Sequence, residues 1–349
     1  MADVAGAAGV SVATVSHVLN GTRPVSEPTR QAVVDAINRC GYIHNTVARS
    51  LVTSRTKSIG VALSAISNPY FTEILQGIES EAVAHGYTLL LADPRDDPDH
   101  ELRVVSDLHQ RRVDGVVLAA SAAPERAVHY LREHGVPTVF ADRVVDGDED
   151  QVCAENREST ARLVDHLAEL GHRRIGFVAG IAGLSTTTER RDGYWEGLRR
   201  NGIEPVPELC RDGASESGAA REATRDLLTS DQPPTAVITA NNAMTIGAMQ
   251  GARDRGVRVP EDVALVAFDD FPWAELFSPR LTAIAQPSWE IGARAVRLML
   301  DRLSNPDRAP VKEVLESRFV HRESCGCPAE AETPAPSSMA TAETTAEQR

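Results

Sequence analysis

Residues 9–21, GVSVATVSHVLNG, have the period of a short helix and not one Lys, Arg, Asp or Glu. Val10, Val15, Val18 and Leu19 fall on one face at helical spacing and suit a core. The other face presents Val12, Ala13, Thr14, Ser16, His17 and Asn20, which are short, neutral and either polar or methyl-bearing. A solvated helix face normally carries more charge. Methyl groups and compact donors suit close approach to base edges, where charge is needed only at chosen contacts.

The elements around this stretch fit that chemistry. A first helix, DVAGAAG, ends at Gly9, which tolerates a left-handed turn. Ser11 is a suitable N-cap for the second helix. A third follows Ser26, with Pro28 in its first turn and an apolar face of Ala32, Val33, Ala36 and Ile37. A helix-turn-helix needs a small residue in helix one, a turn glycine and apolar locking positions. Ala5, Gly9 and the set Val4, Ala8, Val10, Val15 and Val18 supply them. Six cations against three acids give residues 1–57 a charge of +3, although the chain of 349 residues totals −14. A small basic reader on a larger acidic body is expected.

Other chemistry lacks its parts. No GxxxxGK[ST], HExxH, GxSxG or paired CxxC occurs, so phosphoryl transfer, zinc proteolysis and serine hydrolysis find no signature, and the chain reads as no enzyme. No cofactor is implied. Five scattered cysteines form no disulfide framework, and neither a signal peptide nor a membrane span is read, so a cytoplasmic protein is expected. Cys325-Gly326-Cys327 is too short and solitary for a zinc site, so no metal is expected and the pair is read as structural.

From residue 58 the rhythm becomes strand–helix alternation. SIGVALSA, YTLLLAD, DGVVLAA and VPTVFAD read as buried strands, and RIGFVAG, TAVITAN and DVALVAFD repeat the pattern. Continuous apolar strands between amphipathic helices imply parallel sheets covered on both faces, here in two doubly wound lobes. Ligands in such sheets bind beyond the C-terminal strand ends. The Ala/Thr/Glu/Pro/Ser-rich segment 328–349 reads as a disordered tail.

Read together, DVAGAAGVSVATVSHVLNGTRPVS and GYIHNTVARSLVTSRTKSIGV resemble the lactose-repressor/galactose-repressor (LacI/GalR) family of bacterial transcription regulators. The resemblance continues to about residue 327. It implies an all-α helix-turn-helix DNA-binding head (1–44), a hinge helix and linker (45–57) and an α/β, periplasmic-binding-protein-like core (58–327). The core's N-lobe would take about 58–156 and 287–313, its C-lobe about 157–286 and 314–327. Val12, Ala13 and His17 then match base-contacting positions, while Thr14, Ser16, Asn20, Arg49 and Arg55 suit phosphates, which fix register without reading sequence. Leu51 matches a leucine that wedges between bases from the minor groove at a central pyrimidine–purine step of a near-palindromic operator. Three departures stand out. The chain starts almost at helix one, where relatives usually carry a few more residues with a capping Thr, so either the start lies upstream or that helix frays. Val52 replaces a common cation, and Asn242 a common Asp.

The resemblance also implies a small-molecule effector between the lobes. Tyr70, Phe71, Asp142, Arg143, Arg190, Asn241 and Asp269 match effector-binding positions, and Trp273 is placed to stack on a pyranose. An aromatic platform with planar Arg, Asp and Asn groups favours a sugar. A solute-binding protein is the rival reading, opposed by the basic N-terminal segment. The expected protein is a repressor whose operator affinity the effector controls. No Leu heptad follows Leu315, so a homodimer rather than a tetramer is expected, with no membrane partner.

Overall fold

The computed structural model describes residues 1–20, 23–42, 55–64 and 68–327. It divides into two compact units, Met1–Thr56 and Lys57 onward. Arg49, Leu51, Val52 and the segment from Pro328 lie outside the described residues, as does the side chain of Asn20. Among the described residues no single helix is long and apolar enough to cross a membrane.

The first unit is built from α1 (Ala2–Ala8), α2 (Val12–Asn20) and α3 (Glu27–Cys40). No side chain caps the start of α1, and Met1 contributes only its carbonyl, to Ala5 N–H. Gly9 ends the helix at φ 67°, a conformation that a Cβ would penalise. The axes of α1 and α2 are bent by 97°, within the range of a helix-turn-helix. Ser11 Oγ caps α2 by accepting from Thr14 N–H at 3.1 Å. Val4, Val15, Val33 and Ala36 are fully buried, with Val10, Val18 and Leu19 packed around them.

The second unit holds two six-stranded sheets. The chain runs β1 (Ser58–Ala62), α4 (Pro69–Ala84), β2 (Thr88–Ala92), α5 (Pro98–Gln110), β3 (Gly115–Leu118), α6 (Glu125–Glu133), β4 (Thr138–Ala141) and β5 (Asp150–Ala154). It then crosses to α7 (Arg157–Glu169), β6 (Ile175–Ala179), α8 (Ser185–Arg200), β7 (Cys210–Asp212), α9 (Ser217–Leu228), β8 (Ala236–Thr239), α10 (Asn242–Asp254), β9 (Ala264–Phe268) and β10 (Thr282–Ala285). It returns through α11 (Ser288–Ser304) and β11 (Lys312–Leu315), and ends the second sheet with β12 (Arg318–Val320). The strand orders are β11-β5-β4-β3-β1-β2 and β12-β10-β9-β8-β6-β7. The pairs are parallel except β10–β12. β1, β3, β6, β8 and β9 are buried along their whole length, because helices cover both sheet faces.

β11 corrects the expected lobe boundary. Lys312–Leu315 pair in register with Gln151–Ala154 of the first sheet, so that lobe extends through Leu315 rather than stopping at 313. The helix after the first strand of each lobe is drawn close to its neighbour by glycine. A Cβ on Gly77 of α4 would lie 2.0 Å from the Trp289 carbonyl oxygen of α11, and one on Gly193 of α8 would lie 2.1 Å from that of Arg157. These contacts fix α4 and α8, whose first turns line the cleft between the sheets.

Candidate nucleic-acid interface and effector cleft

In the first unit, Val12 is 47% exposed and Ala13 is exposed, although both are apolar. They occupy the first turn of α2, the end of a recognition helix that meets base edges. His17 lies in the last turn of α2 and, like Ser16, is half-buried. The Thr14 hydroxyl is engaged with Ser11 Oγ at 2.9 Å, so it serves the cap as well as any backbone contact. Arg55 is exposed. Leu51 and Arg49 lie outside the described residues.

In the second unit, each lobe brings one buried aspartate to the cleft by the same local device. Asp142 follows β4 and Asp269 follows β9, the corresponding strands of the two sheets. Both adopt left-handed backbone, at φ 71° and 73°. Such a conformation costs an ordinary residue about 1 kcal/mol or more and is held here by the surrounding sheet. Asp142 N–H donates to Val152 O of β5, and in the other lobe Asp270 N–H donates to Ile284 O of β10. The two carboxylates are linked across the cleft. The Tyr70 hydroxyl donates to Asp142 Oδ1 and also lies 3.2 Å from Gln286 Oε1, while Gln286 Nε2 donates to Asp269 Oδ1. Two further bonds join the lobes: Asn242 Nδ2 to Asn68 Oδ1 at 2.8 Å, and Val144 N–H to Ser185 Oγ at 3.1 Å.

Two buried guanidiniums complete the site. Arg143 pairs with Asp96, donates to Ala120 O at 3.0 Å and stands 3.6 Å from Asp142. Its Nε is buried and has no hydrogen-bond partner among the described residues. Arg190 donates to Asn156 Oδ1 at 2.8 Å and Ala240 O at 2.6 Å, and its guanidinium lies 3.8 Å from the Phe268 ring centroid. Burial raises the Asp142 carboxyl above its usual range, against the pull of Arg143 and the Tyr70 hydroxyl. Burial likewise raises Asp269, opposed by Arg190 and Gln286. The Tyr70 phenol is raised well above its ordinary value by burial and by the charge of Asp142. The site therefore holds its acids in contact with donors while disfavouring their free charge.

Tyr70, Phe71, Asp142, Arg143, Arg190, Asn241 and Asp269 line a single cavity of about 60 Å³, room for a few waters. Trp273 lies outside this lining, on an adjoining cavity that shares Asn68 and Ser215 with it. After Asp269 the chain enters a 3₁₀ turn, Pro272–Glu275, rather than an α-helix. That turn leaves Trp273 55% exposed, on a neighbouring cavity that it lines with Phe271, Asn242 and Ala243. Asp96, Asn156 and Gln286 were absent from the sequence-based set. Asn156 and Gln286 sit where the chain crosses between lobes, so the lobe topology could have pointed to them. Asp96, in the loop after β2, carries no such signal.

Comparison with known proteins agrees with both units. Residues 1–45 match the family of bacterial regulatory proteins described as the lacI family, and residues 164–325 match a periplasmic binding protein-like domain. The HTH-type transcriptional repressor PurR of Haemophilus influenzae (strain PittEE) is 33% identical over 306 residues, covering 87% of this chain and 91% of the relative. A transcriptional regulator CelR–cellobiose complex superposes with a TM-score of 0.73 at 33% identity, covering 92% of this chain and 98% of that one. The lac repressor dimer bound to operator and the anti-inducer ONPF gives 0.83 at 28% identity, covering 93% and 98%.

Proposed function

This chain belongs to the lacI family of bacterial regulatory proteins as a DNA-binding transcriptional repressor and not an enzyme, and we propose that the effector controlling it is a sugar held between Asp142 and Asp269. The observation that carries this reading is the chemistry of one cavity. It combines three carboxylates (Asp96, Asp142, Asp269), two guanidiniums (Arg143, Arg190), the Asn241 amide and the hydroxyls of Thr186, Thr187 and Ser215. Adjacent hydroxyls of a sugar pair with such planar groups in a bidentate manner. Tyr70 and Phe71 are the aromatic groups of this lining, and both come from the first lobe. A flat base would lack a second aromatic face to stack against. Arg143 Nε, which makes no hydrogen bond among the described residues and stands 3.6 Å from Asp142, supplies a donor for a ligand oxygen.

The cavity is smaller than a monosaccharide, so the ligand must part the lobes before they close on it. Only a difference in affinity for the two arrangements can alter DNA binding. The protein acts as a homodimer on operator DNA. Val12 and Ala13 contact thymine methyls, His17 donates to a guanine acceptor, and Leu51 wedges at the operator centre. Thr14, Ser16, Asn20, Arg49 and Arg55 hold the backbone.

The test is selection of genomic DNA fragments by the purified full chain, with and without a panel of sugars and purine bases. Enrichment of a near-palindrome with a central pyrimidine–purine step, altered by one sugar, is expected. A response to purines alone would overturn the sugar assignment. Enrichment without symmetry would overturn the dimeric operator.

A further inference from the structure

Sequence alone leaves Cys325-Gly326-Cys327 solitary. The fold does not. His166, near the end of α7, and His321, just after β12, converge on the two cysteines. One ligand atom from each of the four residues lies within 4.8 Å of all the others. Cys327 Sγ is 3.8 Å from His166 Nε2. The His166 and His321 rings meet edge-on with centroids 5.2 Å apart, and Phe319 closes one side at 5.1 Å from His166.

From this geometry we propose that His166, His321, Cys325 and Cys327 form a tetrahedral zinc site in the second lobe. Ligand bonds of roughly 2.0–2.3 Å place donor atoms about 3.3–3.8 Å apart around a tetrahedral zinc ion. The cluster needs to contract by only about 1 Å at its widest to reach that spacing. Two thiolates with two imidazoles select zinc over magnesium or calcium, which prefer oxygen. Supporting hydrogen bonds are already in place. Thr282 Oγ1 donates to Cys325 Sγ at 3.3 Å, and the Cys327 N–H also points to that sulfur. Such donors fix a ligating thiolate and offset its charge.

The ligands come from distant parts of the chain. Cys325 is buried in the core of the second lobe, Cys327 and His166 are half-buried, and His321 is exposed. The ion has an approach from solvent through His321, and all four positions are supplied by protein, as in a structural site. Its physical effect is to clamp residues 321–327 onto α7. The segment beside it already carries Arg322, which pairs with Asp270 next to the cleft aspartate Asp269. Zinc binding therefore stabilises the strand ends that present Asp269.

The experiment uses the untagged, reduced full chain, loaded with zinc and passed through gel filtration before elemental analysis. About one zinc per chain is expected. Cobalt in its place should give thiolate charge-transfer bands and the intense visible bands of a tetrahedral ion. His321→Ala, the least disruptive variant because the side chain is exposed, should weaken zinc binding about tenfold or more while remaining folded by circular dichroism. Cys327→Ser should remove the charge-transfer intensity of one thiolate. No zinc retained by folded, reduced wild-type protein would overturn the site. So would a weak octahedral cobalt spectrum, or zinc retention unchanged in both variants. A Cys325–Cys327 disulfide whose reduction leaves the protein metal-free would assign the pair to redox chemistry instead.

Discussion

The two lobes share one strand order and place one aspartate each in left-handed backbone at the end of the corresponding strand, yet they surround it differently. In the first lobe Asp142 sits between a phenol and a guanidinium, Tyr70 and Arg143. In the second, Asp269 has the amide of Gln286, and the nearby cation, Arg190, is fastened to Asn156 and Ala240 rather than to the acid. The first turns differ in the same way. Tyr70 and Phe71 open α4, whereas Thr186 and Thr187 open α8. Topology thus sets where each cleft acid stands, and the residues at the adjoining helix starts set the groups beside it. One helix start brings aromatic rings to the cleft, the other hydroxyls.

Arg190→Ala tests that division most severely. It removes the second lobe's cation and strands the Asn156 and Ala240 acceptors in a buried site. Effector affinity should fall about a hundredfold, roughly 3 kcal/mol, with DNA affinity in the absence of effector unchanged. Titration of the effector into the operator complex reads both quantities. An unaltered response would remove Arg190 from recognition and leave the first lobe as the dominant partner.

Tyr70→Phe should separate the lobes more finely. It takes a donor from Asp142 but leaves Asp269 with Gln286. The buried carboxylate that loses its phenol should cost about 1–2 kcal/mol in urea unfolding. The ring platform survives, so effector affinity should fall less than in Arg190→Ala. Equal losses in the two variants would mean that the phenol, not the ring, binds the ligand.

How much of this was readable in sequence depends on the kind of signal. β1, β3, β6, β8 and β9 announce themselves as continuous apolar runs because both of their faces are buried. β7 is three residues long and β11 alternates exposed and half-buried positions at a sheet edge, so neither has a run to detect. The cleft residues that follow a strand, Asp142 and Asp269, or open a helix, Tyr70 and Phe71, are placed by the alternation itself. Gln286 and Asn156 depend on where the chain crosses between lobes, which periodicity does not encode. Trp273 sits in a 3₁₀ turn after Asp269, and no periodic signal in the sequence sets the direction of its ring. The four residues of the proposed zinc site show why spacing fails for ligands brought together by tertiary folding, since His166 is far in sequence from Cys325.

The raised carboxyls of Asp142 and Asp269 predict a pH signature. A folded-state value above the unfolded one means that the folded core binds more protons than the unfolded chain at every pH between the two. Stability from these groups is complete below the unfolded value and is lost as pH climbs through the folded one. Asp142→Asn and Asp269→Asn remove this linkage. As pH rises from the ordinary carboxylate range toward neutrality, wild type should lose stability relative to either variant. Urea unfolding at several pH values without effector measures the difference. A difference that grows in the opposite direction would mean that Arg143 or Arg190 outweighs burial and holds the acids ionised.

The smallest expected effect concerns Asn242, where the family resemblance implies a common Asp. Its Nδ2 donates to Asn68 Oδ1, and that same oxygen accepts from Tyr70 N–H to cap α4. Asn68 therefore cannot turn its amide to greet a carboxylate without giving up the cap. Asn242→Asp replaces a donor by an acceptor facing an oxygen, in a position only 3% exposed. The core should lose about 1 kcal/mol at neutral pH and recover part of it on acidification, when the new carboxyl can donate. Asn242→Ala should lose a similar amount with no pH dependence. An Asp variant as stable as wild type at neutral pH would show that Asn68 is free to flip, and that the contact between the lobes at this point tolerates either sign of partner.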